Sequence, residues 1–172
     1  FMNMPRKQGT FRSAWNIPLD VPLVGIVGRL VPIKNHRLFL EAAAQIRQEI
    51  ANAHFVIIGD GELRTELEAL VDELKLHDAV TFTGWVKDVA PIYSDLDVSV
   101  ISSNNEGVPG SITEALVARC PVVSTSVGGV PEMLEHGEVG LLVKAGDCNG
   151  LAQAIISTLR NPPDGDKGRA AA

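Results

Sequence analysis

The stretch HFVIIG, residues 54–59, is apolar on both faces and ends in glycine. A strand that is exposed on one side alternates apolar and polar residues, whereas a strand covered by helices on both sides reads as a continuous apolar run. The stretch therefore indicates an interior strand of a parallel sheet. Its terminal glycine lets the chain turn sharply or pass close to a ligand.

Similar short apolar runs recur along the chain, separated by helical or turn segments. The predicted strands are 23–27, 54–59, 80–84, 97–101, 121–125 and 140–143. Apolar residues at helical spacing mark a helix through 38, 42, 46 and 50 and another through 63, 67, 70, 71 and 74, and further helices are predicted at 7–15, 108–119 and 147–160. Six strands alternating with helices predict an α/β fold, with a six-stranded parallel sheet between two layers of helices.

The composition excludes several classes of protein. The chain has 172 residues, 45% of them hydrophobic, and a net charge of -6 without a basic stripe, so we expect a globular domain that binds no nucleic acid. Cys120, Cys148 and four scattered histidines show neither a disulfide framework nor metal-ligand spacing, so we expect no metal and a reduced, cytoplasmic setting. No apolar run predicts a transmembrane segment. The chain begins with Phe1, which suggests a piece of a longer protein, and that protein could be peripheral at a membrane.

The segment after the first predicted strand carries two cations. Gly28 ends the strand, and Arg29 and Lys34 follow beside the start of the next helix. The N-terminus of a helix disfavours cations, so two cations there make sense if they hold an anion such as a diphosphate. The alternative is that both side chains simply point into water.

The segment GDGELR, residues 59–64, resembles the start of a dinucleotide fingerprint. Gly59 and Gly61 are in place, but Arg64 stands where the third glycine should fall, and no acidic residue ends the strand before them. The pattern favours a tight strand-to-helix turn over an NAD-binding domain.

The segment SSNNEGVPGSITEAL, residues 102–116, places Glu106 in a loop and Glu114 in the helix that follows. Pro109 suits the first helical position, and the amides predicted to be free for a phosphate are those of Gly110, Ser111 and Ile112. Glu114 is the single charge of an apolar helix, so it must face a cleft or find a partner, and ribose hydroxyls would suit it. The alternative is that both glutamates only favour the helix start electrostatically. GGVPE, residues 128–132, is predicted to have a backbone role.

In this order, the GR…K, GDG, SSNNEGVPGSITEAL, PVVSTSVGGVPEML and GEVGLLV elements resemble the retaining, nucleotide-sugar-dependent glycosyltransferases of family 4 (group 1), which have the GT-B fold. The resemblance covers residues 7–160. It implies a Rossmann-like three-layer α/β/α domain, the C-terminal half of a GT-B fold. Residues 1–19 would then lead in from an N-terminal domain, residues 20–160 would bind the nucleotide sugar, and residues 161–172 would form a flexible tail.

The resemblance also implies roles for individual residues. Arg29 and Lys34 would clamp the donor diphosphate, Glu106 would contact the transferred sugar, and Glu114 would bind the ribose; the first three are the candidate catalytic residues. The other residues expected to line the donor site are Gly28, Gly59, Trp85, Val86, Gly107, Val108, Pro109, Ser111 and Ile112. The donor would be a UDP-, GDP- or ADP-sugar, with neither metal nor cofactor.

The implied partners are an acceptor sugar or lipid-linked glycan and an acceptor-binding N-terminal domain of the same protein. Without that domain, the chain is expected to bind the donor but to transfer the sugar poorly. The alternatives are an enzyme similar to a sugar-nucleotide epimerase and a non-catalytic nucleotide-binding module.

Overall fold

The computed structural model describes residues 5–163, and within them it forms one parallel α/β sheet. The strands are β1 (Leu23–Val27), β2 (His54–Ile58), β3 (Val80–Gly84), β4 (Val98–Ile101), β5 (Val122–Thr125) and β6 (Leu141–Val143). Neighbouring strands pair in parallel in the order β3-β2-β1-β4-β5-β6. The predicted fold class is confirmed, and each strand lies within its predicted range.

Helices cover both faces of the sheet. They are α1 (Thr10–Ala14), α2 (His36–Glu49), α3 (Arg64–Glu73), α4 (Ala90–Asp95), α5 (Gly110–Val117), α6 (Val130–Met133) and α7 (Cys148–Arg160), with 3-10 turns at Pro32–Lys34 and Glu135–Gly137. The predicted helices exist but are shorter at their ends. For example, Asp147 lies outside α7 and caps it by accepting the amide of Gly150 at 2.8 Å.

Strand β2 shows why the apolar run at 54–59 identifies the fold. Phe55 and Ile57 point into a core formed with α2, α3 and α7, whereas Val56 and Ile58 point into a second core on the opposite face. All four side chains are buried. A strand between two helical layers needs apolar residues at successive positions, as the sequence predicted.

The segment before β1 is fixed to the domain by buried polar groups. Asp95, at the end of α4, is fully buried and accepts the amides of Gly9, Phe11 and Arg12. The guanidinium of Arg12 is also buried and pairs with Asp97 at 2.9 Å. The assignment of residues 1–19 to a lead-in segment stays a prediction, and most of the predicted tail lies outside the described residues.

Candidate functional site

The candidate site lies where the sheet order reverses. Strand β1 is followed in space by β2 on one side and by β4 on the other, so the crossovers diverge between β1 and β4. In open α/β sheets, ligands bind at the carboxyl ends of the strands at such a point. The loops that rise there are residues 28–35 after β1 and 102–109 after β4, which contain most of the predicted site residues.

Lys34 and Glu106 meet at this point. The Nζ atom of Lys34 lies 2.5 Å from Oε1 of Glu106, and the buried hydroxyl of Ser103 donates to the same oxygen at 2.6 Å. The Glu106 side chain is only 10% exposed. Within residues 5–163, Oε2 has no hydrogen-bond partner and Lys34 uses one of its three donors on Glu106. The cluster of Lys34, Ser103 and Glu106 can therefore bind a hydroxyl and an anion together.

Hydrogen bonds between the two loops hold this cluster in place. The hydroxyl of Ser102 donates to the carbonyls of Lys34 and Asn35, at 2.9 and 3.0 Å. The amide of Asn104 donates to the carbonyl of Ile33 at 2.9 Å. Lys34 ends the 3-10 turn just before α2, so its position depends on the loop after β4 as well as on its own loop.

Gly128 and Gly129 support the Glu106 loop from the next crossover. Gly128 has φ +53°, and a Cβ atom there would lie 1.6 Å from the carbonyl oxygen of Glu106. The amide of Gly129 donates to the carbonyl of Gly107 at 3.1 Å. These contacts are made by backbone atoms, and glycine is required because two stretches of backbone touch. That GGVPE has only a backbone role stays a prediction.

Helix α5 begins with two open amides. No backbone or side-chain acceptor is found for the amides of Gly110 and Ser111 in the described part of the chain. Two predictions about this helix start are wrong. Pro109 is the cap, in extended conformation, and not the first helical residue. The amide of Ile112 is not free, because the first turn tightens and this amide donates to the carbonyl of Pro109 at 3.1 Å.

Glu114 lies half-buried in the second turn of α5, and the partner that burial requires is Tyr93. The phenolic hydroxyl of Tyr93 donates to Oε2 of Glu114 at 3.1 Å. Burial, and then the adjacent Glu114 carboxylate, raise the pKa of Tyr93 above its ordinary value, so this hydroxyl keeps its proton. The other carboxylate oxygen, Oε1, has no partner within residues 5–163. It is available to a ligand hydroxyl.

The glycine-rich ends of β1 and β2 lie against each other. Gly59 has φ +136°, and a Cβ atom there would lie 2.0 Å from the carbonyl oxygen of Gly28. Gly28 itself lies against the aliphatic stem of Lys34. Arg29 follows as an exposed cation whose side chain has no partner among the described residues. An unpaired cation here remains available to an anion.

Two predicted site residues, Trp85 and Val86, follow β3, which lies two strands away from β1. Trp85 follows β3 and is 75% exposed, and Val108 is similarly exposed in the loop after β4. Val86 is half-buried against the second core. Because β2 and β1 lie between β3 and β4, a ligand that touches both Trp85 and Glu106 must extend across the carboxyl ends of these strands.

Two larger cavities lie elsewhere, at the amino ends of the strands. One, of about 550 Å³, lies beside Pro22, Asp97 and Pro121. The other, of about 400 Å³, lies beside Pro121 and Gly140. None of the predicted site residues lines them. Because ligands of open α/β sheets bind at the carboxyl ends of the strands, we place the candidate site at the switch point between β1 and β4.

Sequence reasoning missed Ser103 and Tyr93, which orient the two glutamates. Ser103 belongs to a serine pair that directly follows β4, and a hydroxyl at the switch point was the available signal. Tyr93 is the only tyrosine of the chain, on a helix that the sequence pattern left unassigned. No local pattern linked it to Glu114, which is 21 residues away.

Within residues 5–163, no helix is both long and apolar enough to cross a membrane. The same residues contain no group of three or more histidine, cysteine or acidic side chains placed to hold a metal ion. Both cysteines are free.

Comparison with known proteins identifies the family. Residues 21–161 match the family described as "Glycosyl transferases group 1", so the chain belongs to this family of glycosyltransferases. The lipopolysaccharide core biosynthesis glycosyltransferase LpsE of Rhizobium meliloti is 35% identical over 144 residues, which are 84% of this chain and 41% of LpsE. The fold is the Rossmann-like domain of GT-B enzymes.

Two solved structures extend the comparison. Anabaena Alr3699/HepE in complex with UDP-glucose superposes with a TM-score of 0.84 at 26% identity, over 95% of this chain and 46% of that one. The C-terminal domain of the group 1 glycosyltransferase LpcC from Francisella tularensis has a TM-score of 0.81 at 24% identity, over 99% and 93% of the two chains. The chain spans about two fifths of the curated relatives it matches.

Proposed function

We propose that this chain is the donor-binding domain of a retaining glycosyltransferase, which transfers a sugar from a nucleotide diphosphate sugar to an acceptor. One observation carries the proposal. At the switch point, the Lys34–Glu106 pair stands beside the open amides of α5, so a site for an anion adjoins a site for hydroxyls. A nucleotide sugar presents these two kinds of group next to each other.

Each end of such a donor has a matching group. The diphosphate would bind the two unused donors of Lys34, the guanidinium of Arg29 and the amides of Gly110 and Ser111. The transferred sugar would donate a hydroxyl to Oε2 of Glu106. The ribose hydroxyls would donate to Oε1 of Glu114, which Tyr93 orients through the other oxygen.

The proposed chemistry is stabilisation of a leaving group. As the bond between the anomeric carbon and the phosphate oxygen breaks, negative charge grows on the diphosphate, and fixed cations and amides lower the energy of that state. The acceptor oxygen then joins the anomeric carbon on the face that the diphosphate leaves, and the proton of the acceptor hydroxyl passes to the departing diphosphate. We assign no nucleophile to this chain, and we propose that the acceptor is bound by another domain of the full-length protein.

The comparisons indicate which nucleotide base to test first. Anabaena HepE binds UDP-glucose, so UDP is the first nucleotide to test, with GDP and ADP as alternatives. Trp85, exposed after β3, is the proposed neighbour of the base. The family assignment does not favour the epimerase-like reading or the NAD-binding reading.

The test is a titration of the chain with UDP, GDP, ADP and NAD by calorimetry. We expect one nucleoside diphosphate to bind and NAD not to bind. Arg29→Ala should weaken that binding by about 1.5–3 kcal/mol, the range for hydrogen bonds to charged groups. The control is Arg160→Ala, which removes an equal charge at the C-terminal end of α7 and should leave the affinity for the nucleoside diphosphate unchanged. Binding of NAD without any of the diphosphates would refute the proposal.

A further inference from the structure

His36, the first residue of α2, is buried and has no hydrogen-bond partner. Its side chain is fully inaccessible, and neither Nδ1 nor Nε2 meets a donor or acceptor within residues 5–163. Buried polar atoms in folded proteins almost always have a partner, either from the protein or from an ordered water. An imidazole placed here without one needs an explanation.

The ring is neutral at physiological pH. Burial, and then the adjacent charge of Lys34, lower the pKa of His36 to about 4. A neutral imidazole has one nitrogen that donates and one that accepts. Because the ring is buried, both nitrogens lie inside the protein, and His36 can form hydrogen bonds with two polar groups at once.

A small cavity adjoins this ring. Its volume is about 10 Å³. It is lined by the apolar residues Ile26, Val27, Val100 and Ile101 and by Gly28, Lys34, His36, Ser103 and Ser111. That volume is about what one water molecule needs, and a water is stable in a cavity that offers it two or more polar partners. The cavity lies directly beneath the proposed diphosphate site, because Lys34 and Ser111 belong to both.

Ser111 is a polar group that remains available in this cavity, in addition to the unused donors of Lys34. The hydroxyl of Ser103 already donates to Glu106. The hydroxyl of Ser111, in the first turn of α5, has no partner among the described residues. A water between His36 and Ser111 would satisfy the ring and would connect the start of α2 to the start of α5.

We propose that His36 is a positioning residue of the donor site: one buried water joins its imidazole to the hydroxyl of Ser111 and so fixes the first turn of α5 beneath the diphosphate. The positioning role rests on the proposed function, whereas the water does not. His36 contacts no substrate in this account and acts through Ser111.

The test is a double-mutant cycle on UDP binding, measured by calorimetry with His36→Phe, Ser111→Ala and the double variant. Phenylalanine fills the ring volume without its nitrogens. We expect His36→Phe to weaken UDP binding about three- to tenfold, as for a lost neutral hydrogen bond, and less than twofold once Ser111 is alanine. His36→Gln, which keeps a donor and an acceptor, should recover part of the loss. If His36→Phe weakens UDP binding by the same factor with and without the Ser111→Ala substitution, the positioning role is refuted.

A crystal structure of the unliganded wild-type chain at high resolution provides the second readout. We expect a water within hydrogen-bonding distance of both the His36 ring and the Ser111 hydroxyl. A ring that contacts only carbon atoms would overturn the inference whether or not any nucleotide binds. A wild-type chain that shows this water but binds no nucleoside diphosphate would refute the proposed function and the positioning role, and would leave the water site standing.

Discussion

Replacing Lys34 by methionine should destabilise the domain much more than removing its partner does. The substitution removes the ammonium and keeps most of the aliphatic stem, so Glu106 retains only Ser103 as a donor. The Glu106 side chain is 10% exposed and cannot recover its hydration, whereas Lys34 is 27% exposed and can reach water. Removing the charge of Lys34 should therefore cost more stability than removing the charge of Glu106.

The expected magnitude lies between two limits. Removing one partner of a fully buried ion pair costs about 3–5 kcal/mol. An exposed pair contributes about 0–1 kcal/mol. Because the carboxylate is nearly buried and the ammonium is not, we expect Lys34→Met to lower the free energy of unfolding by about 2 kcal/mol. Glu106→Gln, which can still accept from Ser103, should cost about 0.5–1 kcal/mol.

Urea unfolding at pH 7 measures both variants and the double variant. The double variant should be more stable than the sum of the single effects predicts, by about 1 kcal/mol, because the unpaired carboxylate is gone. The control is Arg37→Met, which breaks an ion pair with Glu66 whose two side chains are 49% and 57% exposed. If Lys34→Met lowers the free energy of unfolding no more than Arg37→Met does, the burial of Glu106 does not make its pairing with Lys34 stronger than an exposed ion pair.

Three further predictions concern residues around the site. Burial lowers the pKa of His36 from 6.5 to about 4, so the unfolded chain takes up the proton first as the pH falls. His36 should therefore contribute a loss of about 2–3 kcal/mol in the free energy of unfolding between pH 6.5 and 4, and urea unfolding at several pH values should show that His36→Phe lacks this contribution. Tyr93→Phe removes the donor to Glu114 and should weaken UDP binding about three- to tenfold in calorimetry, but not binding of a 2′,3′-dideoxy analogue; equal weakening of both would contradict the proposed ribose contact. Gly128→Ala should lower the free energy of unfolding by more than 2 kcal/mol, since its Cβ atom would overlap a backbone carbonyl, whereas Gly146→Ala, also at positive φ but facing open space, should cost about 1 kcal/mol; similar melting temperatures would contradict the close packing.

The sheet could be predicted from the sequence because its signals are local. Runs such as 54–59 are apolar at successive positions, and only a strand buried on both faces requires this. The helix around Leu38, Ala42 and Ile46 was predictable for the same reason, since these three side chains share one buried face. The ends of the helices were predicted less accurately, because a helix cap depends on the residues of a single turn. Pro109 was predicted as the first residue of α5, which begins one residue later, at Gly110.

The contacts within the site could not be predicted in the same way. The pairing of Lys34 with Glu106 joins residues 72 positions apart, and nothing near either residue encodes it. The support of Glu106 by Gly128 likewise depends on how two crossovers meet. The sequence placed the glutamates and cations at one edge of the sheet; which of them touch was decided by packing.

We propose that Glu106 and Glu114 hold opposite parts of one nucleotide sugar. The test is calorimetry with UDP and with UDP-glucose on Glu106→Gln and Glu114→Gln, with circular dichroism to confirm that both variants fold. Glu114→Gln should weaken both ligands. Glu106→Gln should leave UDP binding unchanged or tighter, since it frees Lys34, and should remove only the affinity that the sugar adds. If Glu106→Gln weakens UDP as much as Glu114→Gln does, the two carboxylates do not divide the donor between them, and the account is wrong.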